Sequence, residues 1–70
     1  MAIDSLSDAL PREIARVRDE VLPIYIEIGL PGLFAATMMR RDLDLASKVM
    51  IEGDLAGMIR VYESLKGYSV

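Results

Sequence analysis

Residues 10–32 read LPREIARVRDEVLPIYIEIGLPG, and two properties of that stretch decide the fold. Leu10, Ile14, Val17, Val21, Ile24 and Ile28 recur at alternating intervals of four and three. That heptad seam predicts an amphipathic helix over about 9–28, with Arg12, Glu13, Arg16, Arg18, Asp19 and Glu20 on its wet side. Pro23 interrupts the pattern. Proline has no amide hydrogen and its ring crowds the preceding turn, so a kink is expected near it. The five residues Ile24–Ile28 also alternate and are rich in β-branched side chains, which leaves a strand open as an alternative. So short a strand would have nothing to pair with except a symmetry mate, which favours helix. Gly29-Leu30-Pro31-Gly32 reads as a turn, with Gly29 able to close one helix in the left-handed conformation and Pro31 suited to open the next.

Working outward, residues 1–8 read as a leader with Ser5 and Ser7 as helix caps, and Pro11 suits a first helical turn. Downstream, a second helix is expected over 32–52. It carries one apolar stripe of Ala36, Met39, Leu43, Ala46 and Met50, and a second of Ala35, Met38, Leu45 and Val49. Two adjacent stripes predict a central helix that touches two neighbours. Arg40, Asp44 and Lys48, four apart, are expected to form surface ion pairs. Gly53 ends this helix and Asp54 caps a third over 54–66, with Leu55, Met58, Ile59, Tyr62 and Leu65 as its buried face. Lys66 complements the helix dipole, Gly67 closes the helix, and residues 68–70 form a short tail. The fold class is therefore all-α: a three-helix unit of helical hairpins, and 1–70 form a single domain.

Composition narrows the function classes. The 70 residues include no cysteine and no histidine, so disulfides, thiolate sites and the usual zinc sites are absent. Hydrophobic residues make up 53% of the chain. A chain of this length buries only about 60% of the surface it exposes when unfolded, so part of that apolar area is expected to stay in water unless a partner covers it. A homo-oligomer follows as the expectation. The net charge of −3 and a pI near 4.7 disfavour a nucleic-acid partner, which needs a clustered basic face, and disfavour a polybasic membrane helix. Val21–Met39 holds a single charge, Glu27, but Gly29, Pro31 and Gly32 break it before it could span a membrane. The N-terminus has no basic region or long apolar run, so no secretory signal is expected and a cytoplasmic location is.

Catalysis has no foothold in this composition. Ser5, Ser7, Thr37, Ser47, Ser64 and Ser69 are the only hydroxyls besides the tyrosines; Asp44 and Lys48 lie near Ser47, but they read as an i,i+4 surface pair rather than a reactive cluster. So small a unit is also expected to lack a pocket of roughly 300 Å³ or more, the usual size of a ligand site. Asp42 with Asp44, and Glu52 with Asp54, do not have the spacing of a calcium loop. No enzyme activity, cofactor or metal is expected. Arg40-Arg41 is the one adjacent basic pair, and Asp42 and Asp44 follow it at once.

Two resemblances exist. Leu45-Ala46, Gly53-Asp54, Ile59, Tyr62 and Glu63 resemble one tetratricopeptide-type helical hairpin, departing from it at Met58 and Leu65 where that family has small residues. The resemblance covers about a third of the chain and implies a tight helix hairpin; a single repeat cannot bury its own faces. Tyr25–Gly29, Met38-Met39, Glu52-Gly53-Asp54, Met58-Ile59-Arg60, Tyr62-Glu63 and Leu65-Lys66-Gly67 look like short helical proteins of bacteria and their phages. That likeness implies a protein that acts by binding and transfers no functional residue.

Protein interaction is the function class left: a small adaptor or inhibitor acting through an apolar helical surface as a homodimer. A small DNA-associated regulator, or a structural subunit of a bacterial or phage assembly, is the alternative. Tyr25, Phe34, Met38, Met39 and Arg41 are the candidate partner-binding residues, because aromatic, methionine and arginine side chains concentrate at interface hot spots. For Met38 and Met39 a place in the core is the first reading of so adaptable a side chain, and an interface the second.

Overall fold

The structure is a computed structural model that describes residues 5–69. The expectations for residues 1–4 of the leader and for Val70 lie outside the described residues. Four α-helical elements and one π turn follow in order: α1 (Leu6–Arg16), the π turn (Val17–Val21), α2 (Leu22–Ile28), α3 (Leu30–Glu52) and α4 (Leu55–Lys66). Because α1, the π turn and α2 run on without a break, the chain forms three rods. No strand occurs among the described residues, so Ile24–Ile28 is helix. No described helix is long and apolar enough to cross a membrane.

The first rod begins at Leu6, earlier than expected, with Ser5 at the capping position. The Ser5 hydroxyl donates to Asp8 Oδ2 (3.0 Å) rather than capping the backbone. Pro11 therefore lies inside α1 instead of opening it.

The disturbance expected at Pro23 falls one turn earlier. In the π turn the Leu22 N–H donates to the Val17 carbonyl, five residues back, widening the turn just where the proline ring would meet the backbone. The extra residue rotates everything after it by about 100°. Leu10, Val17 and Val21 are buried as the seam predicts, but Ile24 and Ile28 are exposed, and Tyr25 and Leu22 face inward in their place.

Gly29, at φ +89°, turns the chain from α2 into α3, which starts at Leu30 with Pro31 in its first turn, two residues before the expected start. The helix ends where expected. Gly53 N–H donates to the Met50 carbonyl and Asp54 N–H to the Val49 carbonyl (3.0 Å), and the Asp54 carboxylate accepts from Gly57 N–H (3.0 Å) to cap α4.

One core cluster joins the rods: Leu10, Val17 and Val21 from the first, Met39, Ala46 and Val49 from α3, and Met58, Val61 and Leu65 from α4. As the double stripe predicts, α3 is central and packs on both α2 and α4. The stripes themselves need correction, since Met38 and Leu45 lie outside the core. The face of α4 needs the same correction. Leu55 and Ile59 are exposed, and Gly57 and Val61 are buried in their place. A Cβ at Gly57 would stand 2.8 Å from Val49 Cγ1, so the missing side chain lets α4 approach α3 along that line. Gly32 serves the α2–α3 contact in the same way, because a Cβ there would overlap the Tyr25 carbonyl. Arg40, Asp44 and Lys48 form no ion pair among the described residues. The first rod carries such pairs, Glu13–Arg16 (3.0 Å) and Arg18–Asp19 (2.8 Å).

The shape is a slab of 40 × 27 × 15 Å. With 12 residues, α4 is about 18 Å long against about 35 Å for the 23 residues of α3. The third rod therefore covers only part of the hairpin made by the other two, and the hairpin's tip, around Gly29, is two helices thick.

The burial pattern has a direct consequence for stability. Met39→Ala should lower the free energy of unfolding by about 2–5 kcal/mol, as removal of a fully buried side chain does. Ile51→Ala, at an exposed position of the same helix, should change it by less than about 0.5 kcal/mol. Urea titration followed by circular dichroism reads both, and equal costs would overturn the assignment of Met39 to the core.

Candidate interaction surface

The outer side of α3 carries a row of exposed, mostly apolar residues. Along α3, Leu30, Leu33, Phe34, Thr37, Met38, Arg41 and Leu45 recur every three or four residues and turn away from the core. Leu30 is 84% exposed and Phe34 78%, values that belong to a loop tip rather than to a helix packed into a domain. Ile24 and Ile28, turned outward after the π turn, are exposed on α2. The Thr37 hydroxyl donates to the Leu33 carbonyl within its own helix (2.9 Å), which leaves its methyl as the group it offers outward. No acidic residue occurs on α3 before Asp42.

The five candidate residues separate on this frame. Phe34, Met38 and Arg41 share the outer side of α3, with Met38 38% exposed at its margin. Met39 leaves the candidate surface. It is 1% exposed in the centre of the core, one residue from Met38 but about 100° further around the helix. Tyr25 is half-buried against the core, and its hydroxyl donates to the Ser69 carbonyl (2.8 Å), so its role is to hold the C-terminal segment. Sequence reasoning missed Ile24, Ile28, Leu30 and Leu33. Leu30 and Leu33 could have been noticed, because a turn written Gly-Leu-Pro-Gly and followed by Leu-Phe places large apolar groups where turns are usually polar. It also missed a smaller exposed cluster beside the α3–α4 turn, Ile51, Leu55 and Ile59, by assigning the last two to the core.

Two open grooves flank α3. One of about 490 Å³ is lined by Met38, Arg41, Asp42, Leu45, Ser64, Gly67 and Tyr68, and one of about 360 Å³ by Ile14, Arg18, Arg40, Leu43, Asp44 and Ser47. Both exceed the volume expected of so small a unit, because they are furrows between rods rather than cavities inside one. In the first, Tyr68 Oη donates to Asp42 Oδ2 (2.6 Å), so each polar group is occupied by the other. Arg16 Nη2 donates to the Leu65 carbonyl (2.9 Å) in the last turn of α4, while Tyr25 and Asp42 hold Ser69 and Tyr68 in the segment after it. Among the described residues no three carboxylates come together as a metal-binding group.

No family model matches this chain, and neither a curated protein nor a solved structure matches it.

The Tyr68–Asp42 bond sets a pH dependence. Burial, then the hydrogen bond to Asp42 and its negative charge, push the Tyr68 phenol up from 10.0 to about 12. A pKa raised on folding means that the neutral phenol is the form the fold favours. Its stabilisation is complete below pH 10 and is lost as pH rises through about 12. Denaturation midpoints measured between these limits should fall with pH, and Tyr68→Phe should flatten that fall. An unchanged slope in the variant would remove the bond from the account.

Proposed function

We propose that this protein is a small protein-binding adaptor or inhibitor of the cytoplasm that works through the apolar outer surface of its α2–α3 hairpin, as a homodimer. The observation that carries the reading is the exposure of Leu30 and Phe34 one turn apart, with Leu33 and Met38 on the same side of α3. Single exposed hydrophobic residues are ordinary, but a contiguous group of them in water is not, and such groups mark surfaces that a partner covers. Phe34 with Arg41 supplies the aromatic and guanidinium groups that dominate interface energies. The tip also has no function in the core, since the third rod stops short of it. Binding rather than chemistry is the reading these features support.

The test is comparative capture from the native host with the wild-type chain and a Leu30→Ser, Phe34→Ser double variant. Both side chains stand in water, so helicity should be unchanged. A protein retained by the wild type and lost with the variant is the expected result. Identical retention by the two chains would reject this face as the binding surface.

A further inference from the structure

We infer that a second copy of this chain covers the outer side of α3, packed antiparallel about a two-fold axis that passes between Thr37 and Met38. The inference rests on the preceding reading, that this face is an interaction surface, and names its occupant. Its grounds are the exposed area along α3 and the chemical groups that a two-fold axis would pair, and the spacing accommodates such an axis, as the stripe of a regular helix does. Leu30 stands as far before the midpoint of Thr37 and Met38 as Leu45 stands after it, and Phe34 and Arg41 are related in the same way. Two identical helices crossing on a two-fold axis set residues equidistant from that axis against one another, each contact occurring twice. Leu30 then meets the partner's Leu45, Phe34 meets the partner's Arg41, and Thr37 meets the partner's Met38.

Each of these pairings is chemically sound. Leu30 and Leu45 are aliphatic and both exposed in the single chain. Phe34 offers a free ring face, and Arg41 is exposed and in no ion pair among the described residues, so its guanidinium is available to lie over that ring. At the axis the Thr37 hydroxyl is already bonded within its own helix, so the methyl and the Met38 thioether meet without leaving a donor unsatisfied. A parallel arrangement in register would instead set Arg41 against the partner's Arg41. The amount of surface also fits. Leu30, Leu33, Phe34, Met38 and Leu45 together leave about three large side chains' worth of area in water, ~600 Å² at ~200 Å² each. Thr37 and Arg41, also exposed on this side, extend this toward the ~800 Å² that each partner gives to a stable interface.

The purified chain alone should sediment as a dimer in the micromolar range. Phe34→Ala should weaken dimerisation by roughly tenfold or more with no loss of helicity. The register is read by cross-linking, since the chain has no cysteine of its own. A mixture of the Leu30→Cys and Leu45→Cys variants should be joined by a short thiol-reactive reagent. Leu30→Cys alone should not, because the two copies of that position lie about 22 Å apart in the antiparallel pair. Cross-linking of Leu30→Cys to itself, or a monomer mass at every concentration, overturns the inference. If the monomer mass is found while capture from the host still depends on Leu30 and Phe34, the interaction reading stands and only the second copy as occupant is lost.

Discussion

Pro23 has no hydrogen to give the helix, and its ring needs the space in which the carbonyl four residues earlier would lie. A regular α-helix through Pro23 therefore costs this sequence about 3 kcal/mol or more. The chain answers with a π turn at Val17–Val21, in which the Leu22 amide reaches back to Val17. The backbone stays hydrogen-bonded, and the register of every later side chain changes. Tyr25 turns into the contact with α3 and sends its hydroxyl to the Ser69 carbonyl, while Ile24 and Ile28 turn out. Without that rotation the seam that starts at Leu10 would run unbroken to Ile28, and the tip would carry less oil on its surface.

The second constraint is one of length. Three rods meet in the core only as far as α4 extends, and α4 is about half as long as α3. Along that distance Met58, Val61 and Leu65 complete a core with Leu10, Val17, Met39, Ala46 and Val49. Beyond it the hairpin runs on without a third neighbour. The segment after α4 reaches the edge of this region and is fastened there by Tyr25 and Asp42, so it marks the border of the core rather than covering the tip. The Gly29 turn and the close contact at Gly32 keep the two bare helices together where packing from a third is missing. The exposed face is thus a product of chain geometry, and Leu30, Leu33 and Phe34 are placed on it by the sequence.

Much of this was legible from residues alone. The helical class, the hairpin turn at Gly29, the Gly53-Asp54 hinge and the central place of the second helix follow from periodicity and from capping chemistry, which act locally. What periodicity could not supply was rotation. A pattern of fours and threes assumes uniform pitch, so it carried the seam through Pro23 to Ile24 and Ile28 and missed the one-residue shift. It also reads only side chains that are present. On α4 the closest approach runs through Gly57, which has no hydrophobicity to detect, and so Leu55 and Ile59 were assigned to a face that they do not occupy. The candidate surface shows the same division. Phe34, Met38, Met39 and Arg41 were all chosen by residue type, which carries no direction; Phe34, Met38 and Arg41 share a helix side, and Met39, one residue on, lies about 100° away in the core.

In a chain built this way, the proposed binding would be linked to marginal stability. A small core leaves little free energy in hand, and each apolar side chain held in water adds nothing to it. Covering Leu30 and Phe34 would return to the folded state part of what the short third rod cannot supply, because a ligand that binds only the native form stabilises it by mass action. The bare tip can then be understood as the place where the fold is completed by association. Its composition suits that role better than an ordinary core would. The Thr37 hydroxyl is satisfied internally, and Arg41 combines a charge that keeps the free chain hydrated with a flat group able to lie against an aromatic ring once water is expelled. A face made only of leucine and phenylalanine would attract any oily surface; one interrupted by a guanidinium admits a partner that has an aromatic ring or a carboxylate at the matching position. On the proposed reading, specificity would rest on the few polar atoms of α3, and affinity on the hydrophobic ones around them.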